Sequence, residues 1–263
     1  MSCLAWRSEL PGELKSLLLR PVLGASLLLL GAAALALLQT RPPLPGAVPF
    51  QPALSAQRPR LLPSDFPLDP ERDPLLFSQL DAGDRSWQPR AEPIPGGGIR
   101  YVYRRQVGDP PLSLEQIKAL IRKPPSFMLE RQAIRTLLQT LRARGVRVVL
   151  GPPRQRGAAG EWEPRSAVLR IRPDVPGKGS HHFAIVLNHE AIHVAQSCRR
   201  GHLHAEPQPL GLSRQVAPRQ RANLAAPIYA GQSPQQRRLE EEAYANQQHL
   251  SLGWQLLQAH CRH

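Results

Sequence analysis

The sequence predicts an α+β domain behind a long front end that lacks the periodicity of a packed fold. Three observations lead there. Short runs rich in β-branched and aromatic residues occur at "IRYVYRR" (99–105), "VRVVL" (146–150) and "AVLRIRP" (167–173). Segments of helical period lie between and after them. Residues 1–96 hold an uncharged apolar run and then prolines every few positions, without an amphipathic pattern.

The elements follow in order. Residues 1–20 form a charged leader containing Arg7, Lys15 and Arg20, with Glu9 and Glu13 among them. The run 21–38 has 18 residues without a charge, just long enough at about 1.5 Å per residue to cross a bilayer core. The leader is long for a signal-peptide n-region, so an uncleaved transmembrane signal anchor over 21–39 is favoured over a cleaved signal. The basic flank stays cytoplasmic, so the rest is expected outside the cytoplasm, in a periplasmic or lumenal space, although Arg41 on the far side argues the other way. Residues 40–96 read as a Pro-rich, extended linker closed by "PIPGGG". The domain is expected over 97–263.

Within it, Ser113 and Gln116 have capping-box spacing ahead of a helix that Pro124 stops. A second helix places Ile134, Leu137, Leu138 and Leu141 on one face, and Gly145 ends it. Residues 151–164 read as a hairpin-like loop. "SHHFAIVLNHEAIHVAQSCRRG" reads as one helix from about Ser180 to Gly201, 202–235 as a long loop, and 237–261 as a last helix. No internal repeat is present.

The net charge of +14 suits anionic partners in general. The bases are scattered and aromatics are few, which argues against nucleic acid. All nine histidines lie after residue 180, so the chemistry is expected in the C-terminal third. There, "NHEAIHVAQSC" carries His189, Glu190 and His193 as H-E-x-x-H. On a helix, positions i and i+4 share a face, so two imidazoles can hold one Zn²⁺. Glu190 lies beside the metal, where it can take a proton from a water whose pKa zinc lowers towards about 7. The bland alternative is a buried helix whose histidines are merely hydrogen bonded, at a desolvation cost. Gln196 and Arg199 stand where the longer metzincin motif needs Gly and His, which excludes that class. The third ligand is expected from the acidic run "LEEEAYANQ" (239–247), through Glu240, Glu241 or Glu242, unless that run is a solvated face.

H-E-A-I-H followed by E-x-E-A resembles the gluzincin metallopeptidases over roughly residues 128–260. The resemblance implies a compact zincin-like domain, with the active-site helix packed on a small sheet and a later helix supplying the ligand. It implies Glu240 as third ligand and Glu190 as general base of a peptide-bond hydrolysis. Many of these families place Asp four residues after that ligand; here it is Tyr244, so the surrounding support differs. The chain as a whole also resembles membrane-anchored proteins of cyanobacteria, a likeness that brings no substrate with it.

The expected partners are a peptide or protein substrate and the membrane, through the N-terminal helix. Nothing specifies an oligomeric state. A non-catalytic zincin-fold binding or adaptor protein with a structural metal is the alternative, and a di-metal carboxylate site is weaker because only Glu190–His193 has E-x-x-H spacing. His181 and His182 at the helix entry, and His202, His204 and Tyr229 in the loop, are further candidates for the cleft. Cys198 and Cys261 either form a disulfide, which needs the last helix to bend at Gly253, or remain two independent thiols.

Overall fold

The structure, a computed structural model, describes residues 61–104 and 110–261. They belong to one compact unit of mixed helix and sheet. The leader, the expected anchor at 21–39 and the first part of the expected linker lie outside the described residues. Among the described residues no helix is long and apolar enough to cross a membrane.

The four-stranded sheet has the order β1 (Phe66–Pro67), β4 (Arg147–Leu150), β6 (Val168–Ile171), β5 (Gly160–Glu163). β4 and β6 are parallel, and the two edge strands run antiparallel to their neighbours. β2 (Arg90–Pro93) and β3 (Ile99–Val102) form a separate hairpin. Its turn runs through Gly96, Gly97 and Gly98, all at positive φ, a conformation that only glycine adopts freely.

Four expectations need correction. The fold begins well before residue 97, because the expected linker contains α1 (Asp73–Trp87), whose Leu76 and Leu80 are in the core. Proline density was misleading there. Pro70 and Pro74 occupy first-turn positions of a 3-10 turn and of α1, where the missing N–H costs nothing. The supposed loop 151–164 contributes β5, too short and polar ("GEWE") to stand out as a strand. The last helix is two, α6 (Pro234–Asn246) and α7 (Leu252–His260). The segment 202–235 also carries a short helix, α5 (Pro218–Leu224).

Other elements match the pattern. α2 (Leu114–Arg122) has the Ser113/Gln116 capping box. α3 (Met128–Ala143) buries Ile134, Leu137, Leu138 and Leu141, and Gly145 follows at φ +78°.

The central element is α4 (Ser180–Cys198), buried along most of its length. Its N-terminus lacks a local side-chain cap, and Asp84 of α1 supplies one from outside. The Asp84 carboxylate accepts the Ser180 N–H at 2.6 Å and hydroxyl at 2.7 Å, and Arg131 binds it at 2.7 Å. A carboxylate there also meets the positive end of the helix dipole. Gly83 makes the approach possible, since a Cβ would lie 2.6 Å from the Gly179 backbone nitrogen.

Midway along α4, the buried Asn188 pins the break between α6 and α7. Its Nδ2 donates to the carbonyls of Gln247 at 2.9 Å and His249 at 3.1 Å, and its Oδ1 accepts the Gly253 N–H at 2.8 Å. The bend therefore precedes Gly253, whose bare Cα lets α7 pack on α4: a Cβ would lie 2.5 Å from the Asn188 oxygen. The chain folds back, and Cys261 forms a disulfide with Cys198 at a Cα–Cα distance of 4.9 Å across a separation of 63 residues.

Candidate metal centre

α4 presents His189 and His193 one turn apart, and their Nε2 atoms lie 3.2 Å from each other. α6 brings Glu240 opposite. Its Oε2 is 3.5 Å from His189 Nε2 and its Oε1 is 3.6 Å from His193 Nε2. One ligand atom from each of the three residues falls within 4.8 Å of the others, so the group could hold a metal ion.

Helix phase separates the three consecutive glutamates. Glu241 turns to Arg214 and Arg237, each at 3.5 Å. Glu242 is buried and accepts the backbone N–H groups of Leu210 and Gly211 at 2.8 Å and Leu212 at 3.1 Å. It holds the loop over α6 and is not a ligand. Glu240 alone faces the histidines.

The hydrogen bonds behind the imidazoles fix their tautomers. His193 Nδ1 donates to Gln196 Oε1 at 2.7 Å. That orientation of Gln196 is set in turn by its Nε2, which donates to the Leu239 carbonyl at 3.2 Å and to Glu242 at 3.1 Å. His189 Nδ1 donates to Gln247 Oε1 at 2.9 Å. Both protons therefore sit on Nδ1, and two Nε2 lone pairs converge on each other and on a carboxylate. Only acceptors meet there, and such a cluster requires a cation, either a proton or a metal ion.

The electrostatics without metal agree. Burial disfavours a charge on His193, but the Glu240 carboxylate outweighs burial and raises the imidazole to about 9. Burial likewise opposes the Glu240 charge, yet the two histidines hold its carboxyl well below the usual carboxylate range. Glu190 is not in the ligand group. Burial pushes its carboxyl up, against the pull of His189 and His193.

Glu190 packs on the backbone of β5, where a Cβ at Gly160 would meet Glu190 Oε1 at 2.6 Å. β5 is held to α4 by the Trp162 indole N–H, which donates to Ser197 Oγ at 2.8 Å. The edge strand β5, α4 and the 206–239 segment enclose a cleft of about 800 Å³, onto which His189, Glu190, His193 and Glu240 all open. Tyr229 also lines it, and its hydroxyl is hydrogen bonded to that of Tyr244 at 2.8 Å. Tyr244 in turn packs edge-on against His189, with ring centroids 4.7 Å apart. Burial raises both phenols, Tyr244 to about 12, so both remain proton donors at neutral pH.

The remaining histidines lie elsewhere. His181 is 3.2 Å from Glu130, and burial lowers His182 to about 4. His204 Nδ1 lies 2.9 Å from the Pro164 carbonyl. None of His181, His182, His202 and His204 lines the cleft. The residues that sequence reasoning missed are Gly160, Asn188, Gln196, Gln247 and the loop-holding role of Glu242. Gln196 had a signal, because i+3 from His193 lies on the same helical face. Compared with protein-family models, curated proteins and solved structures, the chain matches none.

Proposed function

We propose that the protein is a zinc-dependent peptidase of gluzincin type, anchored in a membrane with this domain outside the cytoplasm. The observation that carries the reading is the convergence of His189, His193 and Glu240 on one point of an open cleft, with Glu190 beside them. Two imidazoles and one carboxylate suit Zn²⁺. Three protein ligands opening on a cleft also favour catalysis over a structural metal, which is typically closed by four. The disulfide supports an oxidising compartment.

A bound zinc would supply Lewis acidity, polarising a scissile carbonyl and acidifying water towards about 7. The chain's own groups do the rest. Glu190 takes the proton of the attacking water and passes it to the leaving amine. Burial that raises its carboxyl makes it a better base. Tyr229 offers a neutral hydroxyl to the developing oxyanion. Gln196 and Gln247 keep both imidazoles in the ligating tautomer. Gly160 leaves the room that Glu190 occupies.

The test is cleavage of a mixed peptide library by the full-length protein in detergent. The reading expects cleavage that a chelator abolishes and Zn²⁺ restores. Stoichiometric zinc with no cleavage of any peptide favours the non-catalytic alternative.

A further inference from the structure

We propose that the cleft receives a cationic stretch of polypeptide, read by Glu161 and Glu206. The inference rests on the peptidase reading and names its substrate class.

The chain carries a net charge of +14, so its carboxylates have cations to choose from. Most of them are neutralised locally among the described residues. Arg170 holds Asp65 and Glu163, Arg142 holds Asp73, and Arg131 holds Asp81 and Asp84. Glu161 and Glu206 break this pattern. Both line the cleft, and among the described residues neither forms an ion pair. The guanidinium groups of Arg154 and of Arg170, the cross-strand neighbour of Glu161, are both taken by Glu163. The Glu161 carboxylate accepts the backbone N–H of Arg154 at 2.5 Å.

Gly160 and Trp162 turn towards α4, so the Glu161 side chain leaves the other face of this edge strand and meets the cleft at its rim. Glu206 is exposed on the segment that walls the cleft. Arg200 is the single Lys or Arg in the lining. Much of the remaining wall is neutral and polar, including Gln155, Gln208, Gln232 and Gln235. Such a wall suits hydrated, extended side chains of Lys and Arg better than a bulky apolar group. The basic exterior does not cancel this preference, because charges beyond about 8–10 Å are screened at physiological salt. The local carboxylates decide which peptide is held.

The test uses full-length Glu190→Gln protein in detergent, supplied with one equivalent of Zn²⁺, and three labelled ten-residue peptides of alternating Gly-Lys, Gly-Ser and Gly-Glu. The Gly-Lys peptide should bind tightest, and its binding should weaken as salt rises. Adding Glu161→Gln or Glu206→Gln should weaken Gly-Lys binding about two- to fivefold each. Gly-Ser binding should not change, which controls for loss of fold. Equal or tighter binding of the Gly-Glu peptide, or Gly-Lys binding indifferent to both substitutions, overturns the inference. Wild-type protein separates the two claims. Cleavage directed at acidic or neutral peptides keeps the peptidase reading and ends this one. Selective binding of Gly-Lys without any cleavage does the reverse.

Discussion

Gln196 Oε1 accepts the Nδ1 proton of His193 at 2.7 Å, and the same amide donates to Glu242, the carboxylate that holds the 210–212 backbone. One side chain thus couples an imidazole of the candidate site to the loop over α6. Replacing it with alanine frees the imidazole to rotate and to change tautomer. Gln196→Ala should weaken zinc binding about 10–100-fold, the usual cost of losing a hydrogen bond behind a ligating histidine. A competition titration against a chelator of known affinity measures it, and an unchanged affinity would remove Gln196 from the account.

Metal binding should be steeply pH dependent, because the metal takes the deprotonated imidazole and His193 holds its proton to about 9. Below that pH the metal displaces a proton, so affinity rises about tenfold per unit of pH and levels off only above 9. An ordinary histidine would level off near 6.5. Calorimetry in buffers of different ionisation enthalpy should show about one proton released per ion at pH 7. A plateau already reached at pH 7 contradicts the proposed Glu240–His193 pairing.

Gly160→Ala probes the proposed base without touching a proposed ligand. The added methyl would overlap Glu190, whose Oε1 lies 2.6 Å from that position. Metal content should persist while kcat/KM falls by about 10²-fold, the scale expected for a misplaced catalytic group. Loss of the metal instead would mean that β5 supports the ligands and not the base.

Asn188→Ala should cost stability. It leaves the Gln247 and His249 carbonyls and the Gly253 N–H without their buried partner. The loss should be about 2–4 kcal/mol. Denaturant unfolding with the disulfide intact measures it. A change under 0.5 kcal/mol would mean that the helix break is held by other contacts.

The legible parts of this chain were local. The paired histidines depend only on a four-residue spacing, and the Ser113/Gln116 capping box only on three. The choice among Glu240, Glu241 and Glu242 could not be local, because it depends on the phase at which α6 meets α4. Asn188 looked like one more polar residue in an apolar helix, and its role exists only once Gln247 and Gly253 are folded against it. Gln247 is likewise 58 positions from His189. Proline content hid α1, since Pro70 and Pro74 look like linker residues until their first-turn positions are known. The disulfide was half legible: the need for a bend could be reasoned, but its location was set by Asn188.

The most direct measurement compares hydrolysis by wild-type and Glu190→Gln protein at matched zinc content. Glu190 is a base and not a ligand in this account, so the variant should keep one zinc per chain and lose at least about 10²-fold in kcat. A His189→Ala/His193→Ala double variant should lose the zinc itself. Hydrolysis that survives Glu190→Gln at full metal occupancy would contradict the proposed function.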